Sequence, residues 1–199
     1  MKRGEVMGLG LDKDMLLTAV FSALLFIFAC CIIGKLLDTL SNLLVKAMGG
    51  WLVTFTFVGI IHHELSHALF AFLTGAKVDS IVLFRLKEKN GNLGEVKFTT
   101  RGASLLQALQ IVLASAAPVL TGCVSLFLLF TLVHPTLTVW WHQLLAVYLE
   151  LSIFLHMSLS KQDVRNIFSQ FGYLFLILFV LFYLLHINMI ESISGLLFN

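Results

Sequence analysis

Two imidazoles and a carboxylate stand together in the run IIHHELSHALFAF, where His63-Glu64-Leu65-Ser66-His67 forms an H-E-x-x-H pattern. On a helix, residues at i and i+4 lie one above the other on one face. His63 and His67 can therefore each offer a ring nitrogen to one Zn²⁺, with Glu64 beside it. Such a metal brings the pKa of a bound water close to neutrality and polarises a carbonyl. Glu64 would take the proton from that water and pass it to a leaving amine. The pattern is thus suited to amide hydrolysis. His62 points about 100° away from His63 around the helix and reads as an interhelical hydrogen-bond donor or a group supporting a ligand from behind, not as a ligand.

The surroundings of the motif are apolar on both sides. Ionisable groups inside a membrane span cost about 2.5–3.5 kcal/mol each on insertion scales, and here three fall within five residues. A coordinated cation offsets that cost. The plainer alternative is a polar stripe of neutral, hydrogen-bonded histidines facing a bundle interior.

A catalytic zinc keeps three protein ligands and an open position. Two acids compete for the third place: Asp163, in HMSLSKQDVRN, and Glu150, in AVYLELSIF. Asp163 also reads as a solvated loop acid or a helix N-cap, and Glu150 as a residue that orients a ligand or lines a polar cavity. His134, His142, His156 and His186 are dispersed near span ends, where interfacial packing is the default. His156 stands out for being close to Asp163.

The elements that must hold these residues are membrane helices. The chain has 199 residues, 59% of them hydrophobic and 12% charged, about half the charge of an ordinary soluble domain. A net charge of +2, scattered along the chain, argues against a nucleic-acid surface. Cys30, Cys31 and Cys123 lie in apolar runs and read as packing residues. A crossing takes about 20 apolar residues, and five stretches qualify: 15–37, 50–73, 104–133, 139–159 and 169–187. The first reads as an uncleaved helix, too long for the apolar part of a signal peptide. Pro118 is placed to kink the third.

Assigned alternately, the loops put every Lys and Arg except Lys35 and Lys46 on one side. The positive-inside tendency makes that side cytoplasmic, with the N-terminus inside and the C-terminus outside a cell (plasma) membrane. Residues 38–48 have helical apolar spacing and are expected to form a short interfacial helix. In 78–101, IVLFRL and GEVKFTTR flank Lys89-Asn90-Gly91-Asn92, a hairpin turn signal. The expected fold is an all-α polytopic membrane protein of about five transmembrane helices with a small cytoplasmic-side β-hairpin. It forms one membrane-embedded domain, 1–199: an N-terminal span and interfacial helix (1–49), a core (50–170) holding the hairpin, and a last span and tail (169–199).

Four features make residues 50–170 resemble the site-2 protease family of intramembrane zinc metalloproteases. They are HHELSHALFAFLTGAKV, the hairpin that follows, Ala117-Pro118 with Gly122, and Ser160-Lys161-Gln162-Asp163. The resemblance implies His63, His67 and Asp163 as zinc ligands, Glu64 as catalytic base, and membrane-anchored proteins or peptides as substrates within the lipid bilayer. Glu150 and His156 then become supporting or alternative ligands. The chain departs from the family's pattern at three points: Ala117 precedes Pro118 in place of glycine, no proline precedes Asp163, and Val164 follows Asp163 in place of glycine. The competing readings are a non-proteolytic membrane protein holding structural or regulatory zinc, and a proton or metal transporter. A transporter relay needs polar groups on several spans, and the first and fifth spans offer almost none.

Overall fold

The structure, a computed structural model, describes residues 13–85 and 93–198. Eight α-helices and two strands are found among them. They are α1 (Lys13–Met48), α2 (Trp51–Phe55), α3 (Phe57–Leu73), β1 (Lys77–Val82), β2 (Glu95–Thr99), α4 (Ser104–Leu128), α5 (Trp140–His156), α6 (Lys161–Ser169), α7 (Phe171–Leu184) and α8 (Met189–Phe198). After α4 the chain passes through a π turn, Leu129–Val133, and a 3₁₀ turn, His134–Thr136.

Among the described residues, two helical segments, Lys13–Met48 and Ser104–Thr136, are long and apolar enough to cross a membrane. The number rises to four if α5 with α6 and α7 with α8, bent by 52° and 73°, each count as one span. The motif helix α3, at 17 residues, is shorter than the continuous stretch 50–73 expected from hydropathy. The break falls at Thr56, whose backbone leaves helical geometry and whose buried Oγ1 donates to the Leu52 carbonyl at 2.7 Å. The separate interfacial helix expected at 38–48 is also corrected. Those residues continue α1, because nothing between Leu37 and Asp38 interrupts the hydrogen-bond ladder and the run lacks Gly and Pro up to Gly49.

The described residues fall into two compact units. One holds α1 up to Cys31 together with the chain from Phe175 on. In it Ala19 and Ala23 form a small-residue face that buries Phe182, and Phe26 meets that ring edge-on at 5.8 Å. Small side chains let helix backbones approach, which is how helices associate where lipid removes the hydrophobic drive. Ser22 Oγ accepts the Met189 N–H at 3.1 Å and so caps an orphan donor at the start of α8.

The other unit, Ile32–Leu174, contains His63, Glu64, His67, Glu150, His156 and Asp163. Helix α3 packs between α4 and α5. Its close approach to α5 depends on Gly59, where a methyl group would collide with the Ser152 carbonyl. Helix α3 ends in a Schellman turn: Gly75 takes φ +84°, and the Ala76 N–H donates to Ala71 at 2.9 Å. The buried Gln110 of α4 then joins two chain ends, donating to Thr74 O and accepting from the Arg101 N–H.

Strands β1 and β2 pair antiparallel, Lys77 opposite Thr99 and Val82 opposite Glu95, with a bulge between Val78 and Ser80. The first strand begins at Lys77, one residue before the expected hairpin stretch 78–101, and stops at Val82, within IVLFRL. Beyond it one backbone bond, Arg85 N–H to Leu93 O, continues the pairing at 2.7 Å. Much of the turn, together with Lys87 and Lys89, lies outside the described residues, as do Lys2 and Arg3. Glu95 is paired with Arg85 at 2.9 Å and Lys97 at 3.4 Å, and these cations hold its carboxyl below the usual range. Asp79 is lowered chiefly by the Thr99 hydroxyl.

Candidate metal centre

Helix α3 stacks His63 and His67 as the i, i+4 spacing requires, their ring centroids 4.6 Å apart. Each ring is fixed from behind. His63 Nδ1 lies 2.6 Å from the carbonyl of His156, and His67 Nδ1 lies 2.8 Å from the carbonyl of Ala114. A carbonyl only accepts, so both Nδ1 atoms carry the proton and both Nε2 atoms present lone pairs. Those two Nε2 atoms face each other at 3.0 Å.

The third group arrives from α6. Ser160 is the N-cap of that helix and Asp163 its N3 residue, in a capping box. Ser160 Oγ accepts the Asp163 N–H at 3.1 Å, while Asp163 Oδ2 accepts the Ser160 N–H at 3.0 Å and its hydroxyl at 2.5 Å. This uses one carboxylate oxygen and leaves the other free. Oδ1 lies 3.7 Å from His67 Nε2. Asn166, one turn on, donates to Ser115 Oγ at 3.3 Å and ties α6 to α4.

His63, His67 and Asp163 are therefore a group able to hold a metal ion, with one ligand atom from each within 4.8 Å of the others. The donor set fits a tetrahedral cation. Bonds of about 2.0–2.1 Å require ligand atoms about 3.3 Å apart, and the separations of 3.0 and 3.7 Å bracket that value. Two converging lone pairs beside a buried carboxylate demand positive charge between them, either a metal ion or a proton. The outer atoms of all three side chains are already satisfied by the protein, as metal ligands require.

Glu64 is buried and lies outside this group. Its carboxyl rests against the backbone of Gly94, where a methyl group would sit 2.5–2.7 Å from Glu64 Cγ, Oε1 and Cδ. The segment just before β2 thus covers the Glu64 carboxyl. Glu150 is also buried, and its Oε1 is 3.1 Å from His134 Nδ1, a pairing that does not include His63, His67 or Asp163. His156 contributes through its main chain, while its ring Nε2 lies 2.9 Å from Thr56 Oγ1. His62 reaches across to α4, 3.0 Å from Ser125 Oγ, in the interhelical role expected of it.

Several contributors are not evident from the motif. Ala114 and His156 supply carbonyls, which carry no residue signature. Gly94 and Gly59 matter because they lack a side chain. Ser160 had a readable signal, since S-x-x-D is a capping-box pattern. No family model, curated protein or solved structure matches the chain.

Proposed function

We propose that the protein is an intramembrane zinc metalloprotease of the site-2 protease type, cleaving membrane-anchored proteins or peptides near the cytoplasmic face. The observation that supports this reading is the convergence of His63 Nε2, His67 Nε2 and Asp163 Oδ1, each with its other polar atom already tied to the chain. His63, His67 and Asp163 would hold the metal, and zinc would supply Lewis acidity for a water and for the scissile carbonyl. Glu64 takes the proton from the attacking water and delivers it to the departing nitrogen. The carbonyls of His156 and Ala114 keep the two rings from rotating as charge develops. Gly94 holds the Glu64 carboxyl in place from the hairpin side.

Substrate handling follows from helix physics. A membrane-spanning helix hides its peptide bonds in internal hydrogen bonds, so the segment to be cut must unwind and find other partners. Among the described residues, strand β2 is paired with β1 along one edge only. Next to β2 runs a groove formed by Val96 to Thr100, Ile111 of α4 and Asn166 of α6, one turn from Asp163. An unwound substrate strand would add to that edge. If disrupting the pairing capacity of β2 left cleavage unchanged, this part of the reading would be dropped.

The test combines metal content with cleavage of a membrane-spanning peptide by detergent-purified protein. Glu64→Gln is expected to retain one zinc and lose cleavage, and Asp163→Ala to lose zinc. Wild-type protein without zinc would remove the enzyme reading. Stoichiometric zinc with no turnover on a panel of membrane-spanning peptides would select a structural or regulatory zinc protein instead.

A further inference from the structure

We propose that Pro118 is a positioning residue for the metal centre and acts through the hydrogen bond it cannot make. The inference rests on the metal reading of His63, His67 and Asp163, though not on proteolysis. Pro118 lies inside α4 and is fully buried. In an α-helix the N–H of residue i donates to the carbonyl of residue i−4. Proline has no N–H, so the carbonyl four residues back loses its helical partner. That carbonyl belongs to Ala114, the acceptor that His67 Nδ1 reaches at 2.8 Å.

The other ligand histidine is served in the same way. His156 is the last residue of α5, so its carbonyl lies among those a helix end leaves unpaired. The Ser160 N–H, four residues on, is committed to Asp163 Oδ2. The carbonyl of His156 is thereby free to receive His63 Nδ1 at 2.6 Å. Both imidazoles are oriented by helix carbonyls released from their ladders. A chain end releases one, and a proline in the middle of a 25-residue helix releases the other.

Restoring an N–H at position 118 would make the Ala114 carbonyl share itself between a helical bond and His67. Substituting such outer partners costs about 10–100-fold in metal affinity. A carbonyl has two lone pairs, so a loss near the low end, about 10-fold, is expected.

The experiment measures Co²⁺ affinity and the visible absorption of the Co²⁺ complex on the full chain in detergent, in three forms. These are wild type, Pro118→Ala, and a chain with lactic acid at 118, the hydroxy-acid analogue of alanine. The analogue has the methyl group of alanine and, like proline, no N–H. The expected result is about 10-fold weaker binding by Pro118→Ala, with an altered cobalt spectrum, and recovery of both by the analogue. Unchanged affinity in Pro118→Ala overturns the inference. Weak binding by both altered chains also overturns it, because the proline ring and its bend would then be the cause. A wild-type chain that binds no Co²⁺ overturns the metal reading itself and takes the inference with it. Should Pro118→Ala fail to fold, ¹⁵N spectra of histidine-labelled wild type still decide, since a proton on Nε2 of His67 instead of Nδ1 is incompatible with the proposal.

Discussion

Gly94 is the position where one methyl group has the most leverage on the proposed chemistry. A Cβ there enters the space of the Glu64 side chain, and the carboxyl must move to make room. Misplacing a catalytic group by about 1 Å can cost on the order of 10²-fold in rate. Glu64 is not among the three candidate ligands, so metal binding has no reason to change. Gly94→Ala is therefore expected to keep its full metal content while cleavage falls about 100-fold, read by parallel metal analysis and peptide cleavage. Undiminished cleavage would mean that Glu64 adapts and that the segment before β2 does not seat it. The same residue-scale logic separates Asp163 from Glu150. Both are buried, yet Asp163 has one oxygen committed to Ser160 and one aimed at His67, whereas Glu150 faces His134.

Among the elements, the α3–α5 contact carries the most strain if altered. Gly59 brings α3 against the Ser152 backbone and the His156 ring, and the same approach lets His63 reach the His156 carbonyl. Backbone cannot yield as a side-chain tip can. Gly59→Ala must push the helices apart, and overpacking of this kind costs typically about 1–3 kcal/mol. The expected outcome is a lower melting temperature in detergent together with weaker metal binding. Loss of stability without any change in metal affinity would separate helix packing from the orientation of His63. Gly122 plays a parallel part between α4 and the end of α5, where a methyl group would lie 2.6 Å from Met157 Cβ.

For the whole molecule, the decisive property is its apolar exterior. Phe72, Trp140 and Leu184 are 72%, 69% and 66% exposed, among many large apolar side chains on the outer surfaces of helices. Such a surface belongs in lipid, where backbone groups must be satisfied internally, as they are in helices. Membranes carrying the protein are expected to retain it through alkaline carbonate extraction; recovery in the supernatant would remove the membrane reading. The number of crossings has its own test. Five crossings place the termini on opposite faces and four place them on the same face. Counting residues 51–73 as one crossing predicts opposite faces, with the N-terminus cytoplasmic, and reporter fusions at each end would read this directly.

His63, Glu64 and His67 are legible in five letters because a helix converts i, i+4 spacing into a shared face without help from the rest of the chain. The apolar helices and the antiparallel hairpin are legible for the same reason, since hydropathy and strand patterning are local properties. The break at Thr56 is not, because the apolar run passes through it without interruption and only the folded backbone departs from helical geometry there. Nor is the choice of Asp163 over Glu150. Spacing left the two acids open, and only the packing of α6 on α4 brings Asp163 Oδ1 to the histidines. The acceptors behind the rings were hidden as well, since a main-chain carbonyl has no letter of its own. What the sequence determined by itself was which groups could bind a cation and on which helix. The tertiary structure decided which distant backbone and carboxylate atoms meet them, because those contacts join α3 to residues 47 to 96 positions away and no local pattern encodes such a distance.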